Sequence, residues 1–98
     1  MEITINHGEE LVIALVGRLD TVTSVELANA MKKEEIKEDK VVFDFKNLEY
    51  ISSAGLRVLL AIKKDLDDNN KLLEIMNLNP VVREVFNVTG FINVLTVK

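Results

Sequence analysis

Two adjacent serines, Ser52 and Ser53, stand where an apolar run ending at Ile51 gives way to Ala54-Gly55-Leu56 and a long helical pattern. A hydroxyl at a helix start can do more than cap it. The first helical turn carries unpaired N–H groups and the positive end of the helix dipole, so a phosphate added there is stabilised rather than expelled. The chemistry these residues suggest is a charge switch: a group that accepts a phosphate without unfolding the domain. Either hydroxyl would serve, and each also makes a good N-cap. Arg57, four residues beyond Ser53, shares a helical face with it, where its guanidinium would either hold the phosphate or stand in solvent.

Other chemistry fits less well, and no enzyme is expected. Ser53 as a nucleophile needs a base and an orienting group, yet the only histidine is His7, in an N-terminal turn, and no Gly-x-Ser-x-Gly elbow is present. With no cysteine and one histidine, neither a thiolate site nor a histidine cluster can form, so no metal or cofactor is expected. Gly55 is not part of a phosphate-binding loop, because the Gly-x-x-x-x-Gly-Lys pattern is absent. Glu9-Glu10 and Asp67-Asp68 read as turn charges, and His7 as a solvated hairpin residue. Asp44, near the expected end of a buried strand, needs a partner, and the loop around Ser52 and Ser53 is the expected one.

These residues must be positioned by one small domain covering residues 1–98. About half the chain is apolar, enough for a single core. A net charge of −4 with no basic block argues against nucleic acid, leaving protein as the expected partner. The N-terminus Met1-Glu2-Ile3-Thr4-Ile5-Asn6 lacks the basic and apolar segments of a signal peptide, and no apolar stretch approaches bilayer length. A cytoplasmic domain that neither enters nor crosses a membrane is expected, monomeric when free.

The alternation of Glu2 to Asn6, the polar His7-Gly8-Glu9-Glu10 and the run Leu11 to Val16 predict a hairpin. Gly17-Arg18-Leu19-Asp20 is expected to break the second strand, and Thr23-Ser24-Val25-Glu26 has capping-box spacing, with Thr23 as the cap of a helix to about Lys33. That helix should bury Val25, Leu27, Ala28, Ala30 and Met31. After the charged connection Lys37–Lys40, Val41 to Phe45 reads as a strand buried on both faces. The helix from Ser53 to about Asp67 should turn Leu56, Leu59, Leu60, Ile62 and Leu66 to the core. Leu72 to Met76 is a further strand. Asn79-Pro80 predicts a capped helix with proline at its first position, ending near Gly90, and Phe91 to Val97 a last strand. Alternating strands and helices imply an α/β domain with one mixed sheet.

With these elements placed, the chain resembles the STAS domain family, specifically the small anti-sigma factor antagonists of bacteria. The resemblance is carried by Gly17-Arg18-Leu19-Asp20, Asp44-Phe45, Tyr50-Ile51-Ser52-Ser53-Ala54-Gly55-Leu56, and Asn79-Pro80 through Phe86 to Thr89-Gly90-Phe91, in that order and spacing. It implies a sheet of four or five strands backed by helices. It also implies an anti-sigma factor that is a serine kinase and phosphorylates Ser53, and a serine phosphatase that reverses the modification. The unphosphorylated form would bind the kinase and free the sigma factor. Alignment on Gly55-Leu56 favours Ser53 over Ser52. The resemblance places Asp20, Thr21, Ser52, Ser53, Ala54, Gly55 and Arg57 at the partner-facing end. The chain departs from the common pattern in having Ser52 where aspartate often precedes the serine, and Arg57 where glycine often follows the leucine. A STAS module that senses a small ligand or scaffolds an assembly, without phosphorylation, is the alternative.

Overall fold

A hairpin begins the fold: strand β1 (Glu2–Asn6) turns through His7–Glu10 into the longer β2 (Leu11–Leu19), pairing antiparallel. The computed structural model describes all residues, 1–98. Helix α1 (Thr21–Lys33) leads to β3 (Lys40–Ile51), and α2 (Ser53–Asp68) to β4 (Leu72–Met76). Helix α3 (Pro80–Thr89) and a short 3-10 turn (Phe91–Asn93) lead to β5 (Thr96–Val97). The five strands lie in sequence order in one sheet, and every pair after the hairpin is parallel.

One sheet face holds the core. Leu11, Ile13 and Leu15 of β2, Val41, Phe43 and Phe45 of β3, and Leu73 and Ile75 of β4 are buried there with Leu27 of α1 and Leu56, Leu59, Ile62 and Leu66 of α2. Val82 and Phe86 bring α3 into the same core, beside the later half of β3, where Asn79 Nδ2 donates to the Leu48 carbonyl at 2.7 Å. On the other face Val12, Ala14, Glu74 and Met76 are only half-buried. There Lys40 reaches Glu74 at 2.7 Å and Glu10 at 3.0 Å, contacts that raise its pKa above the ordinary lysine value, Glu74 contributing most.

Several sequence expectations are corrected. Gly17 does not end β2. Its φ of +109° lets the strand continue through an irregularity, with register shifts between Ala14 and Val16 and between Gly17 and Arg18. Across each shift β3 carries one more residue than β2, so β3 also runs on past Phe45 to Ile51. Helix α1 starts earlier than predicted, because Asp20 rather than Thr23 is its N-cap. Val25 and Leu60 face outward, 59% and 40% exposed, while Ser24 takes a buried place in α1 and donates to the Asp20 carbonyl. The predicted strand over Phe91–Val97 is confined to Thr96–Val97, since Gly90 at φ +79° caps α3 and the amides of Asn93, Val94 and Leu95 bond back to Gly90 and Phe91.

Candidate phosphorylation site and partner surface

Parallel β2 and β3 end side by side, Leu19 against Ile51, and each feeds a helix. The starts of α1 and α2 therefore lie together at the carboxyl edge of the sheet, the end at which open α/β sheets bind their ligands. The Ser52 amide donates to the Leu19 carbonyl at 2.9 Å, tying the two strand-to-helix junctions together.

The two serines are not equivalent. Ser52 is the N-cap of α2, with extended backbone, and its Oγ accepts from the Gly55 amide at 3.3 Å. Ser53 is the first helical residue and is exposed, and no hydrogen bond within the chain engages its hydroxyl. Structure thus separates a half-buried cap from a free hydroxyl. Gly55 is buried beneath them. Its role is close approach. A Cβ there would stand 2.8 Å from Ile51 Cγ1 and 2.9 Å from both Leu19 Cγ and the Leu19 carbonyl oxygen.

At the neighbouring junction Asp20 Oδ1 accepts from the Val22 and Thr23 amides, both at 3.0 Å, and the Asp20 amide donates to Thr23 Oγ1 at 2.8 Å. This is a capping box with aspartate as cap and threonine as its reciprocal partner. The Thr23 amide, foremost among these donors, holds the Asp20 carboxyl below its ordinary value despite partial desolvation. Thr21 is exposed at the first position of α1, Ala54 is half-buried and Arg57 is exposed on α2.

The model of the STAS domain family matches residues 1–98. This chain belongs to the STAS family. It is 36% identical, over 99% of its own length and 85% of the relative's, to BtrV of Bordetella bronchiseptica, provisionally named as an anti-sigma factor antagonist. Among solved structures, a Thermotoga maritima protein with a similar provisional name superposes with a TM-score of 0.88 at 14% identity, covering 97% of this chain and 84% of that one. The anti-sigma factor antagonist SpoIIAA is similar in its unphosphorylated form, with TM-score 0.69 at 18% identity and coverage of 99% and 87%. The phosphorylated form of SpoIIAA from Bacillus matches with TM-score 0.73 at 19% identity, with coverage of 99% and 91%. At such identities these structures establish the fold, a five-stranded STAS sheet with its helices.

Within this STAS domain, Asp20, Thr21, Ser52, Ser53 and Ala54 come together at one end, and Arg57 follows one turn along α2. Asp44 does not join them. It lies in mid-strand and accepts from the Lys46 amide at 3.0 Å and from Asn77 Nδ2 at 2.9 Å, so it pins the β4–α3 loop instead. His7 is also corrected: it is not merely solvated, but sits at the opposite end of the sheet between two carboxylates. Its Nδ1 is 2.8 Å from Glu38 Oε2, and its Nε2 contacts Glu34. Both contacts, that to Glu34 foremost, raise the His7 pKa above its ordinary value. Glu38 is nearly buried, which opposes its charge, yet its own amide, His7 and the Gly8 amide together keep its pKa below the ordinary value. In the sequence the capping box reads three residues late, at Thr23-x-x-Glu26 instead of Asp20-x-x-Thr23, although aspartate is itself a favoured N-cap; the Ser52–Leu19 bond and the His7 cluster join residues about 30 positions apart and carry no local signal.

Proposed function

We propose that this STAS domain is an anti-sigma factor antagonist switched by phosphorylation of Ser53. The observation that carries the reading is the division of labour at the start of α2: Ser52 caps the helix, while Ser53 offers an exposed, unengaged hydroxyl. The names of BtrV and SpoIIAA support the antagonist role, and a SpoIIAA structure in phosphorylated form supports the modification. In the proposed cycle, the unmodified domain binds an anti-sigma factor serine kinase in the cytoplasm and releases the sigma factor. The kinase transfers the γ-phosphoryl group of ATP to Ser53 Oγ, the hydroxyl proton leaving, and a serine phosphatase restores the hydroxyl.

The physics of the switch is local. A phosphate brings about −1.5 to −2 charges and three acceptor oxygens to the partner surface. The dipole and open amides of the α2 start accommodate that charge, so the fold persists while the kinase meets bulk, repulsion and a desolvation cost. Asp20 and Thr21 lie at the neighbouring helix start, within the same proposed surface. Incubation with the kinase and ATP, followed by intact mass and peptide fragmentation, tests the reading. One phosphate on Ser53 is expected, with loss of kinase binding. Ser53→Ala should bind and resist release, whereas Ser53→Asp, supplying about one charge and two oxygens, should weaken binding only in part. Equal kinase affinity before and after phosphorylation would overturn the switch and favour the ligand-sensing alternative.

A further inference from the structure

An exposed stripe runs along α2 from Ser53: Arg57, then the adjacent Leu60 and Ala61, then Lys64, each turn three or four residues from the last, on one helical face. Part of the stripe is apolar. Leu60 is 40% exposed, and Val94, from the segment after the 3-10 turn, is 47% exposed across a shallow groove that Ala61 also lines. Lys63 and Asp67 complete the rim and neutralise each other through a 2.9 Å ion pair. Arg57 and Lys64 make no ion pair, so the groove keeps two uncompensated positive charges on a chain whose net charge is −4.

This combination selects an occupant. Covering Leu60 and Val94 calls for an apolar side chain, while Arg57 and Lys64, one on either side of Leu60 along the helix, call for carboxylates. Two free cations are too few to hold a polyanion against the repulsion of an acidic domain, which disfavours nucleic acid and an anionic membrane. Distance also matters: Ser53 and Lys64 are about 16 Å apart along a helix rising ~1.5 Å per residue. That span fits within one partner footprint of about 800 Å².

We propose that the groove between α2 and Val94 is a second docking point for the anti-sigma factor, receiving from it an acidic amphipathic segment whose apolar side chain rests on Leu60 and Val94. This inference rests on the partner-binding role proposed above. It extends the contact surface beyond the modified serine to Leu60, Val94 and Lys64, while Arg57, one turn from Ser53, is shared between the groove and the switch.

The test is titration calorimetry of the full chain against its anti-sigma serine kinase at low and high salt. Leu60→Asp and Lys64→Glu should each weaken binding roughly tenfold or more, with unchanged circular dichroism. Lys64→Glu should also flatten the fall of affinity with salt. Because Lys64 is exposed, that variant tests the groove even if Leu60→Asp disturbs packing. If Ser53→Asp weakens binding while both groove variants bind as wild type, the groove proposal fails and the switch stands. If the groove variants weaken binding while neither Ser53→Asp nor phosphorylation of Ser53 does, the groove stands and the switch fails. A wild type that binds no kinase removes both. Binding of anionic phospholipid vesicles that Lys64→Glu abolishes, with kinase affinity unchanged, would assign the groove to a membrane and overturn the proposal.

Discussion

Ser52 and Ser53 differ by one position, and that position separates a capping hydroxyl from an exposed, unengaged one. Ser52→Ala removes the bond to the Gly55 amide and should cost about 0.5–2 kcal/mol of stability, measured by urea unfolding, while phosphate incorporation continues. Ser53→Ala loses no internal bond and should stay within about 0.5 kcal/mol of wild type while incorporation stops. The reverse pattern would assign the phosphate to Ser52. Arg57 adds a further prediction at this scale. Helical side chains lean toward the N-terminus, so Arg57 leans back toward the Ser53 turn. Arg57→Ala should therefore destabilise the phosphorylated form more than the unmodified form, by about 0.2–1 kcal/mol for an exposed pair. Equal losses in thermal melts of the two forms would remove Arg57 from the switch.

Elements place those residues, and here the close approach of α2 to the end of β2 is decisive. Alanine at position 55 would gain roughly 0.8–1 kcal/mol of helix propensity over glycine. Its Cβ would meet the Leu19 carbonyl, which cannot swing aside, and overpacking costs about 1–3 kcal/mol. Gly55→Ala should thus lower stability by on the order of 1 kcal/mol net, and a melting temperature at or above that of wild type would show that α2 can slide on the sheet. Much of this arrangement was legible in the sequence. The hairpin, the Ser53 start of α2, strand Leu72–Met76 and the Asn79-Pro80 cap with its Gly90 stop all follow from local signals. What escaped was set by tertiary context. An irregularity at a positive-φ glycine reads like a turn, and an apolar run such as Phe91–Leu95 reads alike whether it forms a strand or a tight turn against the core. Leu60 follows the helical apolar period yet lies outward, because the width of the buried stripe depends on what packs against it.

At the scale of the whole molecule the sheet separates two polar clusters, the serine junction at the carboxyl ends of β2 and β3 and the His7 cluster at their amino ends. A domain divided this way should keep its circular dichroism spectrum and most of its thermal stability when Ser53 is phosphorylated, whereas a cooperative loss of structure would mean that binding is lost by unfolding. The His7 cluster governs a different response. Both ring nitrogens face carboxylate oxygens, so both contacts are hydrogen bonds only when the ring carries two protons. The folded-state pKa of His7 lies above its ordinary 6.5, so its stabilising contribution is fully present below pH 6.5 and is lost as pH rises through the raised value. Glu38 acts in the opposite sense: its folded pKa lies below the ordinary 4.5, and its contribution, present above pH 4.5, is lost as pH falls through the lowered value. The hairpin, the end of α1 and the start of β3 are consequently clipped together most firmly between those limits. Thermal melts on the alkaline side of neutrality should show wild type losing stability relative to its value at pH 6, and His7→Gln, which cannot take up a proton, should lose less over the same interval. Parallel pH profiles for the two proteins would mean that the imidazolium is not held between Glu34 and Glu38, and that the hairpin is secured by its other contacts, the β1–β2 ladder and the Glu10–Lys40 ion pair among them.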